Sequence, residues 1–274
     1  MHKYLWTLPG IITLLLGGLN GVSRAADPPE PPPVGQEAVG SEGAGAGKTA
    51  KDMVDYVMDL TRGVTSHGIA VMTVVTPDWK RDIKMEWWEE GEDLMLIRIL
   101  SPARDEGNGT LKIGNNLWNY VYAFDETIHV PPAMMMQAWM GSDFTNDDLV
   151  HESSYVNDYE HVLEGIEEVN GERCYSILMT ADPSTLVPWL TIRMYLRVDD
   201  LLPVKEEFYD DDGNLAKYMI FADFEFMYDR TIPRVMRMVP LDKEGRYTEF
   251  AYVEVEFDIE LADNVFTQQN LKNP

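Results

Sequence analysis

Residues 151–155, His-Glu-Ser-Ser-Tyr, begin as a zinc-protease helix does, where two histidines four residues apart hold the metal and the glutamate between them serves as base. Tyr155 stands where the second histidine belongs, so the metal pair is incomplete. Asp143, His151 and Ser153 supply the residue types of a nucleophilic hydrolase. Yet the chain has no G-x-S-x-G elbow, and its five histidines include one at position 2, which leaves few bases. His129, His151 and His161 read as ordinary surface or strand residues. The run GAGAGKT (43–49) ends like a phosphate-binding loop, but Glu42 occupies the position of the first glycine and no apolar strand precedes it. Asp210-Asp211-Asp212-Gly213-Asn214 offers oxygens suited to calcium, but its glycine falls at the wrong offset for a twelve-residue loop, and a hairpin turn accounts for it better. Cys174 is the one cysteine, which excludes an internal disulfide and a multi-cysteine zinc site. No catalytic residue, metal or cofactor is expected.

The most informative stretch is 134–150, MMMQAWMGSDFTNDDLV. Met134, Met135, Met136, Trp139 and Met140 form a soft, polarizable cluster of the kind that adapts to partners of more than one shape. They read either as the movable wall of an apolar cavity or as packing residues of a core helix. The polar group that follows, Asp143, Asn146, Asp147 and Asp148, reads either as a cap for a short helix starting near Thr145 or as a docking patch for a basic release or acceptor protein.

A short basic start (His2, Lys3), an apolar run over 5–19 and the small-residue site Ser23-Arg24-Ala25 predict a signal peptide over 1–25, cleaved after Ala25. Pro9, Gly10, Gly17 and Gly18 interrupt the apolar run and argue against a retained membrane span, which needs about 20 largely uninterrupted apolar residues. The expectation is a soluble protein exported to the periplasm, with no lipid anchor because no cysteine lies near the cut. Cleavage removes Lys3 and Arg24 and no acid, so the formal charge of −25 becomes −27. Such a surface repels phosphate backbones and excludes nucleic acid as a partner. Residues 26–50, proline-rich and then Gly/Ala-rich, predict a linker that cannot build a core. Residues 51–274 are long enough to bury a core as one domain.

The elements that must position these residues follow from periodicity. A helix opens the domain, with Thr49 or Asp52 as its cap, Met53, Val57 and Leu60 on one face, and Gly63 as the stop. Alternation then predicts strands over 69–76, 80–88, 94–100, 110–113 and 117–122, and again over 159–169, 173–180, 190–198, 203–209, 215–226, 234–239 and 247–259. Turn pairs such as Glu90-Gly91, Asn115-Asn116 and Asn170-Gly171 separate them. About a dozen antiparallel strands must pair into two sheets or curl into a barrel, because open edges invite aggregation. Residues 130–157 are the long break, read as an inserted helical piece over the barrel mouth or concave face, with Pro131-Pro132 fixing its start and Gly141 as a hinge.

The run Arg98-Ile99-Leu100-Ser101-Pro102-Ala103, then Leu111-Lys112-Ile113-Gly114-Asn115 with Trp118 and Tyr120, then Pro131-Pro132 and the string 139–150, resembles the bacterial outer-membrane lipoprotein-sorting protein family. That family is similar to the LolA/LolB periplasmic lipoprotein carriers. The match extends to Val265-Phe266-Thr267 and Leu271. The resemblance implies a mainly β fold with a few helices: a strongly curved antiparallel sheet forming an unclosed half barrel, covered by an inserted helical lid, with an apolar cavity for acyl chains. It implies a cargo of acylated lipoprotein or another lipid, loaded or released by an inner-membrane transporter or lipid exporter and passed to an outer-membrane acceptor. The carrier itself would be a monomer. In such carriers a strand arginine holds the lid, and Arg81 is the nearest candidate. Trp87, Trp118 and Tyr120 are expected in the cavity, with Met134, Met135, Met136, Trp139 and Met140 as its movable wall. The alternative is an envelope sensor or adaptor that uses the same fold to regulate a membrane partner.

Energetics limit how such a carrier works. Three acyl chains hold about 40 methylenes, and at about 0.8 kcal/mol each full burial would yield roughly 32 kcal/mol. That exceeds the ceiling of about 21 kcal/mol for noncovalent affinity. Burial must be partial, or offset by the cost of opening the lid and ordering the chains.

Overall fold

The computed structural model describes residues 39–151, 155–182, 185 and 187–273, all within one compact unit. The expected signal peptide (1–25) and residues 26–38 of the expected linker lie outside the described residues. Residues 39–49 pack onto the domain, ahead of the boundary expected at 51. The Ala44 N–H donates to the Val198 carbonyl at 2.9 Å, the Tyr175 hydroxyl donates to the Glu42 carbonyl, and Arg173 pairs with Glu42 at 2.7 Å.

Helix α1 (Ala50–Arg62) starts where Thr49 and Asp52 exchange side-chain and backbone hydrogen bonds in a capping box, and it stops at Gly63. Met53, Val54, Val57 and Met58 are buried on its inner face, at the spacing that puts one stripe of an α-helix against a core.

Among the described residues thirteen strands form one antiparallel sheet. They are β1 (Thr65–Val75), β2 (Lys80–Glu90), β3 (Leu94–Ser101), β4 (Gly109–Ile113), β5 (Asn116–Val121), β6 (Glu126–His129) and β7 (Tyr159–Val169), followed by β8 (Glu172–Ala181), β9 (Thr191–Arg197), β10 (Pro203–Tyr209), β11 (Leu215–Met227), β12 (Arg230–Pro240) and β13 (Tyr247–Phe257). Twelve match expected strands. Strand β6 was not expected, because four residues, Glu-Thr-Ile-His, are too few to display alternation.

The sheet runs β6-β5-β4-β3-β2-β1-β13-β12-β11-β10-β9-β8-β7. First and last strands pair in the middle, from Ser66 opposite Phe257 to Val75 opposite Tyr247. The two edges, β6 and β7, are consecutive in sequence and not paired with each other, so the sheet is not closed into a barrel. The chain between them must therefore cross from one edge of the sheet to the other.

Alternation sorts the strand side chains onto two faces. On the inner face, residues such as Ile177, Met194, Leu196 and Met219 pack with α1, and Ala70, Met72, Ile83, Met85 and Ile97 pack with Trp139 from the crossing segment. On the outer face, Leu96, Leu111 and Tyr120 are covered by the C-terminal segment through Val265, Phe266 and Leu271, the last in α3 (Gln268–Leu271).

Candidate functional site

The segment crossing the open side of the sheet is a strap folded back on itself. The Trp139 N–H donates to the Phe144 carbonyl at 2.8 Å, Ala138 bridges Thr145, Asn146 N–H reaches the Gln137 carbonyl at 3.0 Å, and Asp147 N–H reaches the Met135 carbonyl at 2.9 Å. Met140 (φ 52°) and Gly141 (φ 71°) form its tip. Two successive left-handed residues cannot continue a helix, and the second is glycine, which adopts that conformation without steric cost. Among the described residues helical geometry is confined to a single 3₁₀ turn at Pro132–Met134 and to α2 (Asp148–His151), and the turn at Trp139–Gly141 is broken by the non-helical Met140. The expected helical insert is thus a hairpin-like strap.

Cations from the sheet hold this strap at four places. Arg81, on β2, donates through Nη2 to the Met140 carbonyl. Burial pulls the Arg81 guanidinium below the ordinary arginine range, opposed by the nearby Asp105 carboxylate. Arg246, just before β13, bonds Asp143 and reaches the Gly141 and Ser142 carbonyls at 3.0 and 3.2 Å, while the Thr248 hydroxyl donates to Asp143 at 2.7 Å. Lys217 on β11 bonds both oxygens of Asp148 at 2.9 and 2.8 Å, with its ammonium 4.8 Å from the Trp189 ring centroid. Lys112 on β4 donates to the Val150 carbonyl at 2.8 Å. Arg246, Lys217 and Lys112 were not anticipated as anchors: they are distant in sequence from the strap residues they hold, and no spacing links them to it.

Asp143, Asn146 and Asp147, expected as part of a partner-docking patch, are buried, and the Asp148 side chain is only 12% exposed. The polar atoms of Asp143, Asn146 and Asp148 are turned into the strap and its anchors. Asp143 meets Arg246 and Thr248. Asn146 donates to the Met134 and Gln137 carbonyls, and Asp148 exchanges hydrogen bonds with Thr145, as the capping alternative anticipates. Of the residues expected in the docking patch, Asp143, Asn146 and Asp148 thus serve the strap and its anchors in this structure.

Beneath the strap lies a cavity of about 170 Å³. Six methionines line it, Met58 from α1 and Met72, Met85, Met95, Met219 and Met236 from the sheet. Trp87 lines it, with its indole lying over Gly68 on the neighbouring strand, where any β-carbon would fall 2.3 Å from the ring. From the strap, Trp139, Phe144 and Leu149 face the cavity. Trp139 is 3% exposed, and its indole N–H donates to the Thr110 hydroxyl at 3.0 Å. Six residues with carboxylate, ammonium or guanidinium groups also line it: Arg62, Glu89, Glu92, Lys112, Asp148 and Glu206.

The other expected wall residues lie elsewhere. Trp118 and Tyr120 are outside the cavity lining and pack on the outer face with Leu111 and Leu271, one alternation step away from the inward Leu117. Met134 and Met136 are exposed at 41% and 55%, and Met135 packs against Leu117, Val130 and Val150. Met140 packs against the inner-face cluster that includes Trp139. The soft wall is therefore built by methionines at inward strand positions. Their signal in the sequence was methionine recurring within alternating strands, which is weaker to the eye than three in a row.

Among the described residues no group of three or more His, Cys, Asp or Glu is placed to hold a metal ion. Cys174 is buried, and burial together with the nearby Glu172 pushes its thiol up to about 11.

Comparison with known proteins places this architecture. A DUF1329 family protein from Desulfovibrio piger is 22% identical, with a TM-score of 0.74 over 81% of this chain and 97% of its own. A domain described as an outer membrane lipoprotein-sorting protein, from Vibrio parahaemolyticus, is 20% identical, with a TM-score of 0.71 over 81% of this chain and 98% of its own. A LolA superfamily protein from Nitrosomonas europaea is also 20% identical, with a TM-score of 0.68 and the same coverage. No curated protein matches. A family model described as "Uncharacterized protein" matches residues 91–273, which takes in the strap, its four anchors apart from Arg81, and the outer-face C-terminal segment. The chain therefore belongs to that family, on a fold it shares with LolA superfamily and lipoprotein-sorting proteins.

Proposed function

We propose that this protein is a periplasmic carrier that shelters the acyl chains of a lipoprotein or another lipid in the cavity beneath the strap and moves them towards the outer membrane. The observation that carries the reading is the methionine-lined hollow under a strap anchored by cations of the sheet. Thioether side chains, with three rotatable bonds each, re-pack around chains of different length and kink. The strap is held by sheet cations at its tip and flank and by Trp139, Met140, Phe144 and Leu149 packed on the inner face, so opening it exchanges those contacts for water or for lipid without breaking the strand pairing.

The size of the hollow fits partial burial. At about 170 Å³ it is close to the engineered apolar cavity of about 150 Å³ that admits a benzene. It is smaller than the roughly 300–1,000 Å³ of ordinary ligand pockets. With the strap closed it takes the end of one chain, and a longer segment enters as the methionines rotate and the strap lifts. A carrier needs this graded affinity, because irreversible capture would prevent delivery. An inner-membrane transporter that loads the protein and an outer-membrane acceptor are the partners this reading requires.

The test is recovery of the full-length protein from the cell envelope under mild conditions, mass spectrometry of any bound lipid, and transfer of a fluorescent acyl probe to acceptor vesicles. Copurified lipid and transfer accelerated by the protein are expected. The variant Leu149→Trp, which fills the cavity from the strap side, is expected to weaken probe binding about tenfold, the equivalent of roughly 1.4 kcal/mol. Absence of both bound lipid and probe binding overturns the reading. A stable complex with a membrane protein and no transfer replaces it with the adaptor role.

A further inference from the structure

The hollow opens where α1 ends. Among the described residues that line it, Gly91 and Glu92 in the β2–β3 turn are the exposed ones, and the rest are buried or half-buried. The Gly91 N–H donates to the Val64 carbonyl at 2.9 Å, which fastens that turn beside the last turn of α1. Arg62 is the final residue of the helix, half-buried, and it lines the hollow together with Val57, Met58 and Thr61. An arginine in a last turn offsets the negative end of the helix dipole from any side of the helix. Arg62 stands on the side that meets the hollow. The neighbouring polar groups have partners within the protein. The Lys112 ammonium donates to the carbonyls of Glu92 at 2.7 Å and Val150 at 2.8 Å, and Asp148 is held by Lys217. The Glu89 carboxylate accepts from the Ser66 hydroxyl at 3.2 Å, and the Thr61 hydroxyl donates to the Val57 carbonyl at 2.8 Å. Among the described residues Arg62 is the lining cation with neither a hydrogen bond nor an ion pair.

We infer that the lipid held by this protein carries an anionic head, a carboxylate or a phosphate, which pairs with the Arg62 guanidinium at the mouth while its chain runs inward between the methionines; this step rests on the carrier reading. A guanidinium presents its N–H donors in a planar fork that matches two oxygens of a carboxylate or phosphate, and such charge-assisted pairs are the strong ones. Arg62 is half-buried beside apolar walls, where a contact pair is stronger than in bulk water, whereas Glu92 is exposed and its charge is screened by water and salt. A hydroxyl head would meet Arg62 through one oxygen without charge, and an ammonium head would be repelled by it. Methionine and aromatic walls hold the tail of each, so chain burial is common to all heads and the head decides the preference.

The test compares three twelve-carbon probes, dodecanoate, dodecanol and dodecylamine, below their micellar and solubility limits. Each competes with the neutral fluorophore N-phenyl-1-naphthylamine for the full-length protein at neutral pH, in salt at about 0.15 M, where a Debye length of about 8 Å screens the distant acidic surface and leaves a contact pair in place. Dodecanoate is expected to displace the fluorophore at a concentration about tenfold lower than dodecanol, with dodecylamine weaker still. Acetate, an anion without a tail, is expected to displace nothing, and displacement by acetate at the concentrations dodecanoate needs would overturn the inference in favour of a bare anion site. Arg62→Gln is expected to erase the advantage of dodecanoate over dodecanol, and Arg62→Lys, which keeps the charge without the fork, to retain part of it. Dodecanol or dodecylamine binding as tightly as dodecanoate in the unaltered protein overturns the inference while leaving the carrier reading intact, and that arm does not depend on any variant's folding. An undiminished preference for dodecanoate in a folded Arg62→Gln protein overturns it as well. Failure of all three probes to displace the fluorophore removes the carrier reading and this inference together.

Discussion

Trp139 joins the strap to the sheet in two ways: its ring is buried among inner-face residues, and its N–H is satisfied by Thr110, which in turn donates to Asn119 at 2.8 Å. The two contributions separate by substitution. Trp139→Phe keeps most of the packing and leaves the Thr110 hydroxyl with one partner fewer, so a loss of about 1 kcal/mol in denaturant unfolding is expected. Trp139→Ala leaves a void and should cost about 3–5 kcal/mol. Equal losses for the two variants would mean that packing contributes little. Cys174 gives a simpler check, because a thiol pushed up to about 11 by burial is almost wholly protonated at pH 8. The native protein should resist a thiol-alkylating reagent there and react at once when unfolded, as mass spectrometry would show. At this scale the sequence was only partly legible. Trp87 lines the hollow, whereas Trp118 and Tyr120, expected beside it, lie on the outer face. Alternation says that neighbours such as Leu117 and Trp118 point oppositely. Which of them points inward depends on pairing with β4 and on the C-terminal segment, which arrives from far along the chain.

The strap shows why whole elements differ in how readily they are read. Strands β7 and β10 were delimited residue for residue, because alternation and flanking turns are local signals. The strap has helix-like spacing of its apolar residues, yet its course is set by Arg81, Lys112, Lys217 and Arg246, contributed by four separate parts of the sheet. The capping bond between Thr145 and Asp148 was a local signal and was found. The ion pair that holds the same Asp148 was not. Lys217 and Asp148 have side-chain exposures of 7% and 12%, so removing one partner strands a largely buried charge. Lys217→Met should cost about 3–5 kcal/mol, whereas the double variant Lys217→Met, Asp148→Leu should recover most of it, since a buried pair is often replaceable by apolar residues of similar volume. A double-mutant cycle by chemical denaturation reads the coupling directly. Releasing the tip through Arg81→Ala with Arg246→Ala should accelerate hydrogen exchange at the Trp139, Ser142 and Asp143 amides and leave the paired strands β1 and β13 protected. Uniform acceleration across the sheet would show that the strap is integral to the fold and not a separable cover.

Over the whole molecule two electrostatic effects act on stability with opposite dependence on pH. The formal charge is −25 at pH 7, and self-repulsion of that size destabilises a compact state, so protonating carboxylates or adding salt should help it. His161 acts the other way. Burial holds its pKa below the ordinary value of 6.5, outweighing the upward pull of its hydrogen bond to the Tyr155 carbonyl at 2.8 Å. A histidine depressed in the folded state binds its proton more readily when the chain is unfolded. Its contribution is therefore fully present above the unfolded value near 6.5 and is lost as pH falls from there through the lower folded value. Asp52, Asp229 and Asp258 are also held below their ordinary value of 3.8, by the Thr49 backbone N–H, the Arg230 side chain and the Val64 backbone N–H respectively, so their contributions fade only in more acidic solution. The window just below pH 6.5 thus isolates His161, provided the global repulsion is suppressed. In high salt, where the Debye length falls to about 3 Å at 1 M, unfolding free energy should decrease as pH falls from 7.5 to 5.5. His161→Gln, which keeps a donor for the Tyr155 carbonyl but does not titrate, should flatten that slope. At low salt the same titration should be shallower, because relief of repulsion opposes the histidine. A steeper slope at low salt would mean that the acidic surface is already neutralised by its own cations, and the net charge would then carry no stability consequence.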